Sequence, residues 1–130
     1  MIEPRHIQNV RRRLIADRGQ LTFLALFERD EEPGWWDLLI AGSDLRSDTL
    51  AHYSYVADVL RAELTRDEMV RLAKVVLLPE DYEPIQKLLR RVHVEDGEPV
   101  ELEYFRFHEF LIRRALIFQA VPAAVGAEKA

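Results

Sequence analysis

The stretch from residue 21 to residue 42 places the strongest constraint on the fold. Two apolar runs, 21–27 (LTFLALF) and 35–42 (WWDLLIAG), flank a mostly charged segment that ends in Pro33 and Gly34. Such a pair of runs around a polar turn is typical of two strands joined by a solvated connection. Both runs are apolar at nearly every position, which indicates strands that are buried on both faces. The sequence therefore predicts a hairpin in the middle of a sheet that helices cover.

The remaining segments supply helices and further strands. Apolar residues at steps of three and four predict helices over about 4–16, 48–63 and 81–92. Shorter apolar or alternating runs predict strands over about 72–78, 100–106 and 112–120. Thr65 and Glu68 match a capping box, which opens one more short helical turn. The order α-β-β-α-β-α-β-β predicts an α+β domain with a mixed or mostly antiparallel sheet of about five strands and about three helices, which we expect to gather on one face.

Strand 100–106 alternates between apolar and acidic residues. Val100, Leu102 and Tyr104 are expected to point one way, with Glu101 and Glu103 pointing the other way. If this strand pairs with the last one as a hairpin, Glu103 lies opposite Arg113 or Arg114, depending on register. A length of 130 residues fits a single domain, which we place at 1–121. We expect the Ala-rich segment 122–130 to be a flexible tail.

Composition narrows the classes of function. The chain has no cysteine, which excludes disulfides, thiolate nucleophiles and cysteine-based zinc sites. No run approaches the ~20 apolar residues that span a bilayer, and residues 1–6 lack the order of a secretory signal. We therefore expect a cytoplasmic protein that does not associate with membranes. A net charge of −5 argues against a nucleic-acid partner, although Arg11, Arg12 and Arg13 keep weak nucleic-acid binding by the N-terminal helix as an alternative.

One group of residues suggests a metal site. Asp48 and His52 are four residues apart on a predicted helix and so share a face, and Asp44 precedes them in the loop. Two carboxylates and an imidazole can hold a divalent ion and leave a position for water. This alternative predicts a metal-assisted hydrolase of the phosphoester type. The simpler interpretation is that Asp48 stabilises a helix N-terminus and His52 lies on the surface.

Common catalytic and cofactor-binding motifs are absent from the sequence. It contains no G-x-x-x-x-G-K, G-x-G-x-x-G, G-x-S-x-G or H-E-x-x-H. We therefore predict no cofactor and assign no catalytic residue.

Aromatic residues near the strand ends give the first hypothesis. Neighbouring strand residues face opposite sides, so either Trp35 or Trp36 can enter the core while the other stays on the surface, unless helices cover both. Phe105, Phe107 and Phe110 lie close together near the last turn. Exposed aromatic residues are typical anchors of protein interfaces. The sequence thus predicts a non-catalytic interaction or self-associating module, with these five residues as interface candidates and a homodimer or another protein as partner.

Overall fold

The computed structural model describes residues 2–45 and 49–123. Four helices and five strands follow one another in the order α1 (Pro4–Arg18), β1 (Leu21–Arg29), β2 (Trp36–Gly42), α2 (Leu50–Glu63), α3 (Arg66–Arg71), β3 (Leu72–Leu77), α4 (Glu83–Leu89), β4 (Val100–Phe107) and β5 (Phe110–Ala120). The α+β class is confirmed, and the predicted order holds once the short α3 is added. Most of the predicted tail, residues 124–130, lies outside the described residues, so its flexibility stays a prediction.

The sheet has the order β3-β2-β1-β5-β4. The β2–β3 pair is parallel, and the other three pairs are antiparallel. The predicted central hairpin is confirmed, because β1 has β2 on one side and β5 on the other and is buried from Leu21 to Glu28. Among the described residues, no helix is both long and apolar enough to cross a membrane.

Helices cover both faces of the sheet. On one face, which we call the α1–α2 face, Leu38 and Phe118 pack with residues of the first two helices, such as Leu14 and Val59. On the opposite face, the α4 face, Phe23 packs with residues of α4 such as Ile85. The expectation that all helices gather on one face is wrong. Because β1 and β2 are apolar on both sides, a single helical layer would leave half of their apolar surface in water.

A buried carboxylate joins the start of α1 to the start of α3. The predicted capping box is present: the Glu68 backbone N–H donates to Thr65 Oγ1 (3.1 Å), and the Thr65 N–H donates to Glu68 Oε1 (2.7 Å). The Glu68 carboxylate also accepts the Glu3 N–H at 2.8 Å and lies 2.9 Å from His6 Nδ1. Burial alone would raise the pKa of Glu68, but the hydrogen bonds from Thr65, Glu3 and His6 outweigh it and hold that pKa below its usual value.

The outer strand β4 departs from regular alternation at Tyr104. Glu103 lies opposite Arg114, which is one of the two registers that the sequence allowed. Tyr104 has φ 50° and is 61 % exposed, so it does not lie with Val100 and Leu102, which pack on the α4 face. The expectation for Tyr104 is therefore wrong. A left-handed residue interrupts the pleat, so the residues that follow it change face.

Candidate functional site

A pocket opens on the α4 face, where β1, β2 and β3 meet the tip of the β4–β5 hairpin. Its walls are largely apolar and rich in aromatic rings, and they are formed by Phe27, Leu39, Val76, Leu78, Tyr82, Phe107, Phe110 and Ile112. Its rim carries Arg29, Asp37, Lys74 and His108. The pocket holds about 110 Å³. Apolar walls with a few polar groups at the mouth are typical of binding sites.

Strand pairing places the walls of this pocket. Phe27 lies opposite Asp37, and Leu39 lies next to Val76 in the parallel β2–β3 pair. The β4–β5 hairpin returns through a two-residue turn that sets Phe107 opposite Phe110. His108 opens this turn with φ 59°, as a tight hairpin turn with positive φ requires.

Edge-to-face aromatic contacts fix the wall. The Phe27 ring lies 4.9 Å from the Phe107 ring at 83°, and 5.6 Å from the Phe105 ring at 90°. Each such pair contributes about 0.5–1.5 kcal/mol beyond the burial of its surface. Phe105 therefore supports the wall from behind, while Phe107 and Phe110 line the pocket. The side of the pocket formed by these rings is held in place without a ligand.

The rim contains a largely buried ion pair. Asp37 is 5 % exposed, and Arg29 Nε donates to Asp37 Oδ2 at 3.0 Å. Arg29 Nη2 also donates to Glu32 Oε1 at 2.6 Å, so the turn between β1 and β2 holds the guanidinium at the mouth. Burial raises the pKa of Asp37, and the charges of Arg29 and Lys74 oppose this effect. The Asp37 carboxyl orients Arg29, although burial disfavours the negative charge of Asp37.

The two tryptophans lie in different environments. Trp35 is 42 % exposed, and the guanidinium carbon of Arg71 lies 5.6 Å from the centre of its ring. Trp36 is 2 % exposed and packs in the core of the α1–α2 face, with Arg114 over its ring. Of the five interface candidates, the structure thus brings Phe107 and Phe110 together at the pocket. It leaves Trp35 on the surface and buries Trp36 inside the chain.

The residues proposed for a metal site are only partly described. Asp44 is exposed, and its Oδ2 lies 3.5 Å from Arg18 Nη1. His52 lies in the first turn of α2, where its backbone N–H donates to Thr49 O at 3.1 Å. Asp48 lies outside the described residues. Within 2–45 and 49–123, no three histidines or carboxylates form a group suited to a metal ion, and the site that includes Asp48 stays a prediction.

The arginine cluster of α1 is divided between core and surface. Arg11 is 6 % exposed, and its Nε donates to Gln119 Oε1 at 2.9 Å. Arg12 and Arg13 are exposed, and they donate to Asn9 and Glu63 at 2.9 Å and 3.3 Å. Arg11 therefore does not lie on the surface with Arg12 and Arg13. Nucleic-acid binding by this helix stays a prediction, with two surface arginines to support it.

Sequence reasoning missed most of the residues that line the pocket. One signal for it was present: Asp37 is the single charged residue in the run WWDLLIAG, and a charge in a buried strand requires a partner. That signal points to Arg29 and to this end of the hairpin. Nothing local in the sequence points to Val76 or Tyr82.

Comparison with known proteins finds no match to this chain. No family model matches it, and neither a curated protein nor a solved structure does so. Any function must therefore be inferred from the geometry of the chain itself.

Proposed function

We propose that this protein is a non-catalytic interaction module that binds a partner by taking one apolar side chain into the pocket on the α4 face. The observation that carries this proposal is the pocket itself, with its aromatic wall and its charged rim. A preformed apolar hole beside exposed charges is the usual setting of an interface anchor, where one buried side chain supplies much of the binding energy.

The size of the pocket favours a single side chain over a cofactor or a drug-sized ligand. Its volume of about 110 Å³ lies well below the roughly 300–1,000 Å³ of small-molecule sites. It is nearer to the roughly 150 Å³ of an engineered apolar cavity that accepts benzene. The space therefore fits a leucine, isoleucine or phenylalanine side chain, with no room for a nucleotide.

The chemistry of the walls points in the same direction. Tyr82 is the only hydroxyl-bearing residue among the described residues that line the pocket, and none of those residues carries a thiol. His108 lies at the rim beside Tyr82, with 6.3 Å between the two rings. Among the described residues that line the pocket, no serine, threonine or cysteine lies beside a histidine, as acyl transfer by such a pair would need. Binding is the activity that these residues support.

We propose that another protein supplies the side chain that enters the pocket, and that the chain also associates with a second copy of itself. Two-fold homodimers are the commonest assemblies of soluble proteins, and β3 and β4 each have a neighbouring strand on one side only within the described sheet. We also propose the cytoplasm as the location, because a reducing compartment suits a chain without cysteine.

NMR titration with N-acetylleucinamide tests the pocket. This probe presents one apolar side chain and no charge. We expect millimolar binding, about −4 kcal/mol, with chemical shift changes concentrated at Leu39, Val76 and Phe107. The variant Val76→Phe fills the pocket and should abolish these changes. The matched control is Val70→Phe, because Val70 is 59 % exposed on α3 and lies outside the pocket.

Two outcomes would count against the proposal. One is the absence of any saturable shift in the wild-type chain. The other is an equal response in the two variants, which would mean that the probe binds elsewhere.

A further inference from the structure

We propose that two copies of this chain join edge to edge through β4, which makes one continuous sheet of ten strands about a two-fold axis. This inference rests on the proposed self-association and names the surface that performs it. It uses the opposite edge of the sheet from β3, and it does not require the pocket to be filled.

The outer side chains of β4 separate by chemistry. Val100, Leu102 and Phe105 pack toward the α4 face. Glu101, Glu103 and Arg106 are exposed and alternate with those residues, so they lie on the opposite side of the strand. The strand thus carries two acids near its start and one base near its end. Two such strands that run antiparallel place the acids of each copy near the base of the other.

Tyr104 decides which registers are possible. Its positive φ interrupts the alternation of the strand, so Leu102 and Phe105 pack on the same face although they are three residues apart. Paired strands must keep apolar residues opposite apolar residues on one face. The residues that pack on the α4 face have even numbers before Tyr104 and odd numbers after it. A residue before Tyr104 therefore meets a residue of the same face after Tyr104 only when the two residue numbers add to an odd value. The register centred between Glu103 and Tyr104 meets that condition.

This register also uses the whole strand. It pairs Val100 with Phe107 of the second copy and so includes every residue of β4 from end to end. Leu102 then lies opposite Phe105 on the apolar side, and Glu101 lies opposite Arg106 on the exposed side. Because the axis is two-fold, the Glu101–Arg106 pair occurs twice. A register shifted by one step would pair Glu103 with Arg106 but would leave the first residues of β4 unpaired.

The other outer strand is less suited to pairing. Leu78 N–H donates to Ile40 O on β2, while the neighbouring Leu77 N–H donates to the Tyr53 hydroxyl at 3.4 Å. Since successive N–H groups of a strand point to opposite sides, Tyr53 occupies a donor on the outer side of β3. Lys74 is exposed on the same strand, and β3 contains no acidic residue that could face this lysine in a second copy. The geometry thus favours β4 as the open edge.

The experiment is sedimentation velocity from micromolar to millimolar protein, on the wild-type chain and two charge-reversed variants. Glu101→Arg sets arginine against arginine at both pairs, and Arg106→Glu sets glutamate against glutamate. Either change alone should weaken the dimer by roughly tenfold to a hundredfold. An equimolar mixture of the two variants should form a heterodimer of wild-type strength, because each arginine then faces a glutamate. Circular dichroism checks that each variant is folded, and Glu98→Arg is the control outside β4.

The outcomes separate the two proposals. A wild-type chain that stays monomeric throughout would overturn self-association together with this interface, and would mean that the charges on β4 guard the edge against pairing. A wild-type dimer that both variants leave intact would overturn only the β4 interface. If Glu103→Arg weakens the dimer and Glu101→Arg does not, the proposed register is wrong.

Discussion

Replacement of Glu68 by glutamine tests how the helical layer is held together. The Glu68 carboxylate is 5 % exposed and accepts the backbone N–H groups of Thr65 and Glu3, with His6 as a third partner. Glu68→Gln preserves the shape of the side chain but keeps only one acceptor oxygen. The new amide NH₂ group then faces an N–H group that the carboxylate had accepted. One or two of the three hydrogen bonds are lost.

The magnitude follows from the charge on the acceptor. A hydrogen bond to a charged group contributes about 1.5–3 kcal/mol. We expect the free energy of unfolding to fall by about 2–4 kcal/mol. The lower end of this range applies if the partly exposed His6 replaces its hydrogen bond to Glu68 by one to water. This is a large share of the roughly 5–15 kcal/mol that stabilises a typical domain.

Urea unfolding near pH 7 and near pH 3 measures this effect and its pH dependence. The pKa of Glu68 lies below its usual value, so the stabilisation that its charged form provides is present above the ordinary carboxyl pKa of about 4.3 and is lost as pH falls through the lower folded value. The gap between the wild-type chain and Glu68→Gln should therefore narrow in acid. Asp67→Asn, which removes an exposed charge next in the sequence, is the control and should cost far less. A gap that stays constant with pH, or a control that costs as much as Glu68→Gln, would mean that the charged Glu68 carboxylate does not hold α1 and α3 together.

Two further predictions concern buried polar groups. Burial raises the pKa of Asp37, so the stabilisation linked to its neutral form is present below its ordinary pKa and is lost as pH rises through the raised value. Asparagine does not titrate, so urea unfolding of Asp37→Asn should show a gain in unfolding free energy relative to wild type as pH rises from about 3 to about 7. A difference in unfolding free energy that changes in the opposite direction with pH would contradict this. Gln119→Leu should lower the unfolding free energy by about 1–3 kcal/mol, because Arg11 Nε loses its acceptor inside the core. Arg12→Ala, on the outer side of the same helix, should change stability by no more than about 0.5 kcal/mol, and thermal melts that rank the two variants in the reverse order would show that the buried pair does not matter.

Local sequence patterns predicted the elements of this fold well. The apolar runs predicted the central hairpin because both of its strands are buried on both faces. The capping box at Thr65 and Glu68 predicted α3 because the two residues satisfy each other's backbone within four positions. In each case the physical cause lies within a few residues of the feature.

Features that depend on distant contacts could not be predicted in the same way. Arg11 is buried because Gln119, more than a hundred residues away, accepts its hydrogen bond. The change of face at Tyr104 follows from a backbone angle that this residue type rarely adopts. The pocket requires β3 and the β4–β5 hairpin to meet over β1 and β2, and this meeting is set by strand order and not by spacing in the sequence.

Intermolecular nuclear Overhauser effects between N-acetylleucinamide and the protein show directly whether an apolar side chain enters the pocket on the α4 face. We expect contacts from the leucine methyl groups of the probe to the side chains of Leu39, Val76 and Phe107. Contacts to exposed Trp35 in place of these three residues would mean that the probe binds outside the pocket.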